Sequence, residues 1–178
     1  MTVTSSVTRR EFLQLTASAA AMLGLTGCAG VTVTANPKVR TPRPITPGSK
    51  IRIAGMGLNN KGFDDIRSFP DEEIVALCDV DWGLKKVQQT FADFPRAKRY
   101  KDFRKMLMEM DDEIDALVVS TPDHMHFLPT YLALAMGKHV FVQKPLTRTV
   151  WESRELRLLS ERNPQVCTQM CNQGHQGE

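Results

Sequence analysis

The chain has 178 residues, 42% of them hydrophobic and 24% charged, which fits one ordinary domain with a short appendage and excludes a disordered, collagen-like or disulfide-scaffold protein. Residues 1–50 hold six Lys/Arg against one acid, and residues 51–178 hold 17 basic and 19 acidic residues, so the net charge of +3 belongs to the amino-terminal segment. The slightly acidic body carries no basic footprint for nucleic acid, and 178 residues leave no room within them for a large two-domain enzyme.

Arg9-Arg10-Glu11-Phe12 opens the most apolar run, Leu13 to Leu25. As a helix these thirteen residues span roughly 20 Å, short of the ~30 Å hydrocarbon core of a bilayer. A positive region before a short apolar one is the layout of a secretory signal. The paired arginines resemble a twin-arginine export signal, an address read by a receptor; the alternative is a frayed helix. Leu25-Thr26-Gly27-Cys28 resembles a lipobox, which makes Cys28 a candidate for acylation and membrane tethering. A small-residue cleavage site with a chance cysteine is the other reading. The expected location is periplasmic or tethered to the membrane by a lipid. Residues 29–49, with Pro37, Pro42, Pro44 and Pro47, read as a semi-extended linker, and residues 50–178 as the domain.

Within the domain, Lys50 to Ala54 is a short β-rich run stopped by Gly55. Ile74 to Cys78 is a second, Ala97 to Tyr100 a weaker third, Ala116 to Ser120 a fourth, His139 to Val142 a fifth and Gln165 to Met170 a sixth. Between them, Leu84/Val87/Phe91/Phe94, Phe103/Met106/Leu107/Met110 and Leu128/Tyr131/Leu132/Ala135 repeat at helical spacing. Val150 to Arg162 is a further helix, stopped by Asn163-Pro164. Strands alternating with helices predict βαβ units, a parallel sheet and a doubly wound α/β fold of the Rossmann type.

Gly55-Met56-Gly57-Leu58-Asn59-Asn60 follows the first strand and opens a helix. A glycine pair there lets a pyrophosphate approach bare backbone N–H groups. Asn60 stands where a third glycine is usual, and asparagine tolerates left-handed backbone. Asp79, 24 residues after Gly55, ends the second strand, where a carboxylate can accept the 2′-hydroxyl of an adenosine ribose. The same charge repels a 2′-phosphate, which favours NAD over NADP. The competing reading of Asp79 is a helix N-cap before Trp82, a role for which Asp81 is better placed.

Ser120-Thr121-Pro122-Asp123-His124-Met125-His126 follows the fourth strand, and Gln143-Lys144-Pro145-Leu146-Thr147 the fifth. Together with the glycine turn and Cys78-Asp79-Val80-Asp81, these motifs resemble the amino-terminal half of the glucose–fructose oxidoreductase / inositol dehydrogenase / rhizopine-catabolism (Gfo/Idh/MocA) family, over roughly residues 50–178. The resemblance implies that Gly55, Gly57, Leu58, Asn59 and Asn60 form the phosphate turn and that Asp79 binds ribose. It implies that Ser120, Thr121, Pro122 and His126 line the nicotinamide half of the cofactor. Lys144 and Pro145 match the Lys-Pro of the family's Glu-Lys-Pro motif, with Lys144 as the catalytic residue that positions the reacting hydroxyl. Asn172 and Gln173 fall near the last cofactor contact. Gln143 replaces the usual glutamate. An amide hydrogen-bonds but carries no charge, so Lys144 is expected to lose its proton more easily if it is buried.

His124 and His126 have no clear third partner for a metal. Cys167 and Cys171 lie about 13 Å apart on an extended strand, too far for a disulfide. Cys78 could approach one of them only across the sheet. Family members carry a second α/β domain with most substrate contacts. The expectation is therefore a fragment or one half of a split protein, completed by that domain in cis or in trans, with a homo-oligomer when full length. The function implied is NAD(H)-dependent hydride transfer to or from a sugar or cyclitol hydroxyl carbon. Export would favour a tightly held, internally recycled cofactor and hence redox-neutral work. A non-catalytic nucleotide- or sugar-binding module is the alternative.

Overall fold

A computed structural model of the protein describes residues 39–172. The expected signal with Cys28, the first part of the linker, and Gln173 lie outside the described residues.

Six strands form one parallel sheet: β1 (Arg52–Met56), β2 (Glu73–Cys78), β3 (Lys98–Tyr100), β4 (Ala116–Val119), β5 (His139–Val142) and β6 (Thr168–Met170). Their order in space is β3-β2-β1-β4-β5-β6, the doubly wound arrangement expected from the alternating pattern. The connecting helices are α1 (Lys61–Asp65), α2 (Lys85–Asp93), α3 (Phe103–Glu109), α4 (Phe127–Ala135) and α5 (Val150–Arg162). Short 3-10 turns follow α1 and α3 and precede α4. The winding reverses between β1 and β4, which opens a crevice at their carboxyl ends, the place where such sheets bind ligands.

The side chains of one strand point alternately to the two faces of the sheet, so each strand feeds two cores. Ile53, Leu77 and Val118 face Leu58, Ile66, Val87 and Phe91, which belong to the glycine turn, the segment after α1 and α2. Ala54, Cys78, Leu117 and Val119 face Met106, Leu107, Tyr131 and Leu132 of α3 and α4 and Leu156 of α5. Burying each large side chain contributes about 1.5–3 kcal/mol. Helix α4 is buried almost all round, because α5 covers its outer side, and its apolar composition matches that position. Helix α5 starts at a capping box. Thr149 Oγ1 accepts the Glu152 N–H at 3.2 Å, and Glu152 Oε2 accepts the Thr149 N–H at 2.9 Å, a cap worth about 1 kcal/mol.

Two boundaries differ from expectation. Strand β1 does not stop at Gly55. Gly55 stays in the ladder beside Leu77 and Val118, because its backbone pairs without a side chain, and the chain turns only at Gly57. The described part of the segment read as a semi-extended linker is also bonded to the domain. Arg40 N–H donates to the Ala135 carbonyl at 3.0 Å, and Asn163 Nδ2 donates to the Arg40 carbonyl at 2.7 Å. Arg40 also pairs with buried Asp111, and Arg43 and Arg52 with buried Asp115. Side chains of a linker segment thus fasten it to the amino-terminal edge of the sheet. The carboxyl-terminal edge is left open for the site.

Candidate functional site

The glycine turn is fixed from both sides. Gly57 has φ +78°, and its N–H donates to the Cys78 carbonyl at 2.9 Å. A Cβ at Gly57 would stand 2.5 Å from the Ser120 carbonyl oxygen, and one at Gly62 would overlap the Gly57 carbonyl oxygen. Only glycine fits either place, so the turn lies flat against the end of β4. Asn60, at φ 45° and ψ −117°, has a positive φ but lies outside the left-handed helical region. No acceptor among the described residues meets the N–H groups of Asn59 and Asn60. This cradle fits a diphosphate, which brings acceptor oxygens and no side-chain bulk.

Asp79 stands at the end of β2 beside that turn. Its Oδ2 accepts the Leu58 N–H at 2.8 Å and its Oδ1 accepts the Asp81 N–H at 2.9 Å. A carboxylate has about four acceptor positions, so it retains capacity for a ribose hydroxyl. The N-cap readings fail for Asp79 and Asp81 alike. Helix α2 begins at Lys85 with Leu84 at its cap, and Asp81 instead closes a local turn with the Gly83 N–H at 2.9 Å. Burial, then the charges of Asp79 and Asp102, push the Cys78 thiol up to about 12. Cys78, Cys167 and Cys171 are all free.

On the other side of the crevice, Ser120 N–H donates to the Met56 carbonyl at 2.8 Å. Thr121 Oγ1 is buried and has no hydrogen-bond partner among the described residues. Pro122 is exposed at the rim. His126 is 1% exposed, with Nδ1 2.6 Å from the Pro145 carbonyl and Nε2 2.7 Å from the Thr121 carbonyl. Both neighbours are carbonyl oxygens, and whichever ring nitrogen carries hydrogen donates to the one it faces. His126 therefore clasps the segment after β5 to the segment after β4. Each of its nitrogens is engaged by a carbonyl, whereas His124 is exposed.

Lys144 and Pro145 are exposed and joined by a cis peptide bond. Lys144 is not buried among the described residues. Gln143 just before it is 4% exposed and donates through Nε2 to Asp65 Oδ2 at 2.7 Å. Asn172 is exposed beyond β6, one residue after Cys171, whose N–H donates to the Val142 carbonyl at 2.8 Å.

The motifs therefore converge. Contacts run from Asp79 through Leu58 and Gly57 to Ser120, then through Asp65 to Gln143, and from Pro145 through His126 back to Thr121. Asp65, the residue in the middle of this chain of contacts, was not anticipated. Its signal in the sequence was small: a carboxylate four residues after Lys61 and next to Ile66, on the face of a short helix that turns inward.

A parallel sheet with a glycine turn after β1 and a carboxylate after β2 defines a dinucleotide-binding α/β domain. The family model described as "Oxidoreductase family, NAD-binding Rossmann fold" (Gfo/Idh/MocA) matches residues 50–170, and the chain belongs to that family. It is 31% identical, over 92% of its length, to a glycosyl hydrolase family 109 protein of Solibacter usitatus, and spans 39% of that relative. It is 27% identical, over 94% of its length, to an alpha-N-acetylgalactosaminidase of Shewanella oneidensis, and spans 40% of it. The chain thus covers about two fifths of these relatives' length. Among solved structures it resembles scyllo-inositol dehydrogenase of Lactobacillus casei with bound NAD(H) and scyllo-inositol, at a TM-score of 0.61 and 21% identity over 68% of this chain and 36% of that one. It also resembles the WlbA dehydrogenase of Bordetella pertussis in complex with NADH and UDP-GlcNAcA, at 0.62 and 22% over 72% and 39%. At these identities the structural likeness speaks for the fold.

Proposed function

We propose that this chain is the dinucleotide-holding part of an exported enzyme that acts on a sugar hydroxyl carbon in a redox-neutral cycle, with NAD(H) preferred over NADP(H). The observation that carries the reading is the pairing of the glycine turn with Asp79 through the Leu58 N–H. A negative group at the ribose end accepts a 2′-hydroxyl and repels a 2′-phosphate. When bound, the dinucleotide supplies a hydride acceptor and donor at the nicotinamide.

The residues of the chain bind and orient. The N–H groups of Asn59 and Asn60 take phosphate oxygens. Thr121 offers its hydroxyl to the nicotinamide side. Lys144, exposed beside the segment clasped by His126, presents an ammonium to the reacting hydroxyl. It polarises that hydroxyl, while a base outside residues 39–172 takes the proton. The names of the glycosyl hydrolase relatives favour a net reaction that is not a dehydrogenation, in which the hydride taken from the sugar is returned to it. Periplasmic location, a lipid at Cys28, a second domain in cis or in trans and a homo-oligomer belong to the same proposal. The export reading supports a cofactor that stays bound.

Native mass spectrometry of the protein purified from its own host, with no nucleotide added, tests this reading. One retained NAD or NADH per chain is expected. Protein that carries no nucleotide, or that exchanges bound NAD rapidly with added NAD, contradicts the retained, recycled cofactor.

A further inference from the structure

Asp65 ends α1 and is 3% exposed. Its Oδ2 accepts two hydrogen bonds at 2.7 Å, one from Ser120 Oγ and one from Gln143 Nε2, and its Oδ1 lies 3.3 Å from Lys61 Nζ. One carboxylate thus ties together the segments that leave β1, β4 and β5. Those segments carry the phosphate turn, the Ser120-Thr121-Pro122 wall and Lys144.

The polarity of this junction is determined. A carboxylate only accepts, so Ser120 must give its hydroxyl hydrogen and Gln143 must turn its NH2 inward. A carboxylate at position 143 would put two anions on one hydrogen-bond axis in a buried place. An amide at position 65 can still pair with Gln143 by turning one or both amides, but it removes the negative charge that sits beside Lys61 and Ser120. We propose that Asp65 is a positioning residue for the nicotinamide half of the dinucleotide and that residues 65 and 143 form a coupled pair that carries one negative charge. The position of Asp65 in the site rests on the functional reading above; its coupling to Gln143 does not.

The pair can be inverted without changing its size. Asp65→Asn and Gln143→Glu are both isosteric changes, and made together they exchange donor for acceptor. Ser120 completes the inverted arrangement by rotating its hydroxyl from donating to accepting. Four full-length proteins form the test: wild type, Asp65→Asn, Gln143→Glu and the double swap, each with an NAD(H) dissociation constant and a melting temperature. Gln143→Glu is expected to bind NAD(H) at least tenfold more weakly, and Asp65→Asn, which loses the charge but keeps a paired amide, severalfold more weakly. The double swap is expected to return to within about threefold of wild type. Single variants that bind like wild type, or a double swap no better than the worse single, overturn the inference. So do affinity losses that merely follow melting temperature, since a purely structural residue would behave that way.

Should a single variant fail to fold, the double swap decides: a folded, NAD(H)-binding protein supports the pair, and an unfolded one overturns it. Should wild type show no saturable NAD(H) binding, the functional reading and the positioning role fail. The coupling is then read from melting temperature alone, where the double swap must recover the stability that the single changes lose.

Discussion

The carboxylate of Asp79 accepts the N–H of Leu58 at 2.8 Å, so the acid that ends β2 also shapes the turn that follows β1. Leu58 is fully buried, and its amide has no water to turn to. Asp79→Ala leaves that donor unpaired and is expected to cost about 1–3 kcal/mol, read from a urea unfolding midpoint. Asp79→Asn keeps an acceptor for Leu58 while it removes the charge. It should fold nearly as well as wild type and lose discrimination against NADP. If the Asn variant still rejects NADP, the charge of Asp79 does not select the cofactor.

Gly57→Ala forces a side chain into left-handed backbone and against the Ser120 carbonyl. The backbone alone costs roughly 1–2 kcal/mol and the contact adds to it. Chemical denaturation should show a loss of at least about 2 kcal/mol. Stability unchanged within error would mean that the turn does not lie against β4 as described.

The network at the opposite edge of the sheet makes stability depend on pH. Burial pushes Asp111 up, but Lys138 and Arg40 beside it outweigh burial and hold its carboxyl below the ordinary value. Burial draws Lys138 down, against the pull of Asp111. The two shifts differ in cause because Asp111 lies between two cations, whereas Lys138 also feels the charge of Arg40. A carboxyl held low in the folded state stabilises above its unfolded value, and that stability is lost as pH falls through the folded value. Asp111→Asn should therefore be less stable than wild type at pH 7, and the two unfolding midpoints should converge as pH falls below the ordinary carboxylate value and through the lower folded one. Parallel curves would remove Asp111 from the acid response.

Cys78 sits under the site with its thiol pushed up to about 12, whereas Cys167 is exposed. The thiolate is the reactive form. Iodoacetamide at about pH 8 should label Cys167 in the native protein and spare Cys78 until denaturant is added. Peptide mapping checks this, and labelling of native Cys78 would mean that its pocket opens readily.

Much of this was legible because it depends on local chemistry. The alternation of apolar strands and periodic helices located the strands of a parallel sheet, and the glycine pair and Asp79 marked the crevice. Three features were hidden because they depend on long-range contact. Asp65 meets Ser120 and Gln143 across 55 and 78 residues of chain, and no local pattern announces that. His126 sits in a recognisable motif, but its contacts with the Thr121 and Pro145 carbonyls, which join two segments, are not announced by it. Proline-rich spacing reads as a semi-extended linker through Ser49, while Arg40 and Arg43 reach buried acids about 70 residues away.

The central claim is that the turn at Gly57 to Asn60 and the carboxylate of Asp79 hold one dinucleotide between them. Titration of the full-length, nucleotide-stripped protein with NADH, followed by isothermal calorimetry alongside the Asp79→Ala variant, tests it most directly. The account predicts saturable binding of one NADH per chain, weakened at least tenfold in a variant that remains folded. No saturable heat with the wild type, or equal affinity in the folded variant, would contradict it.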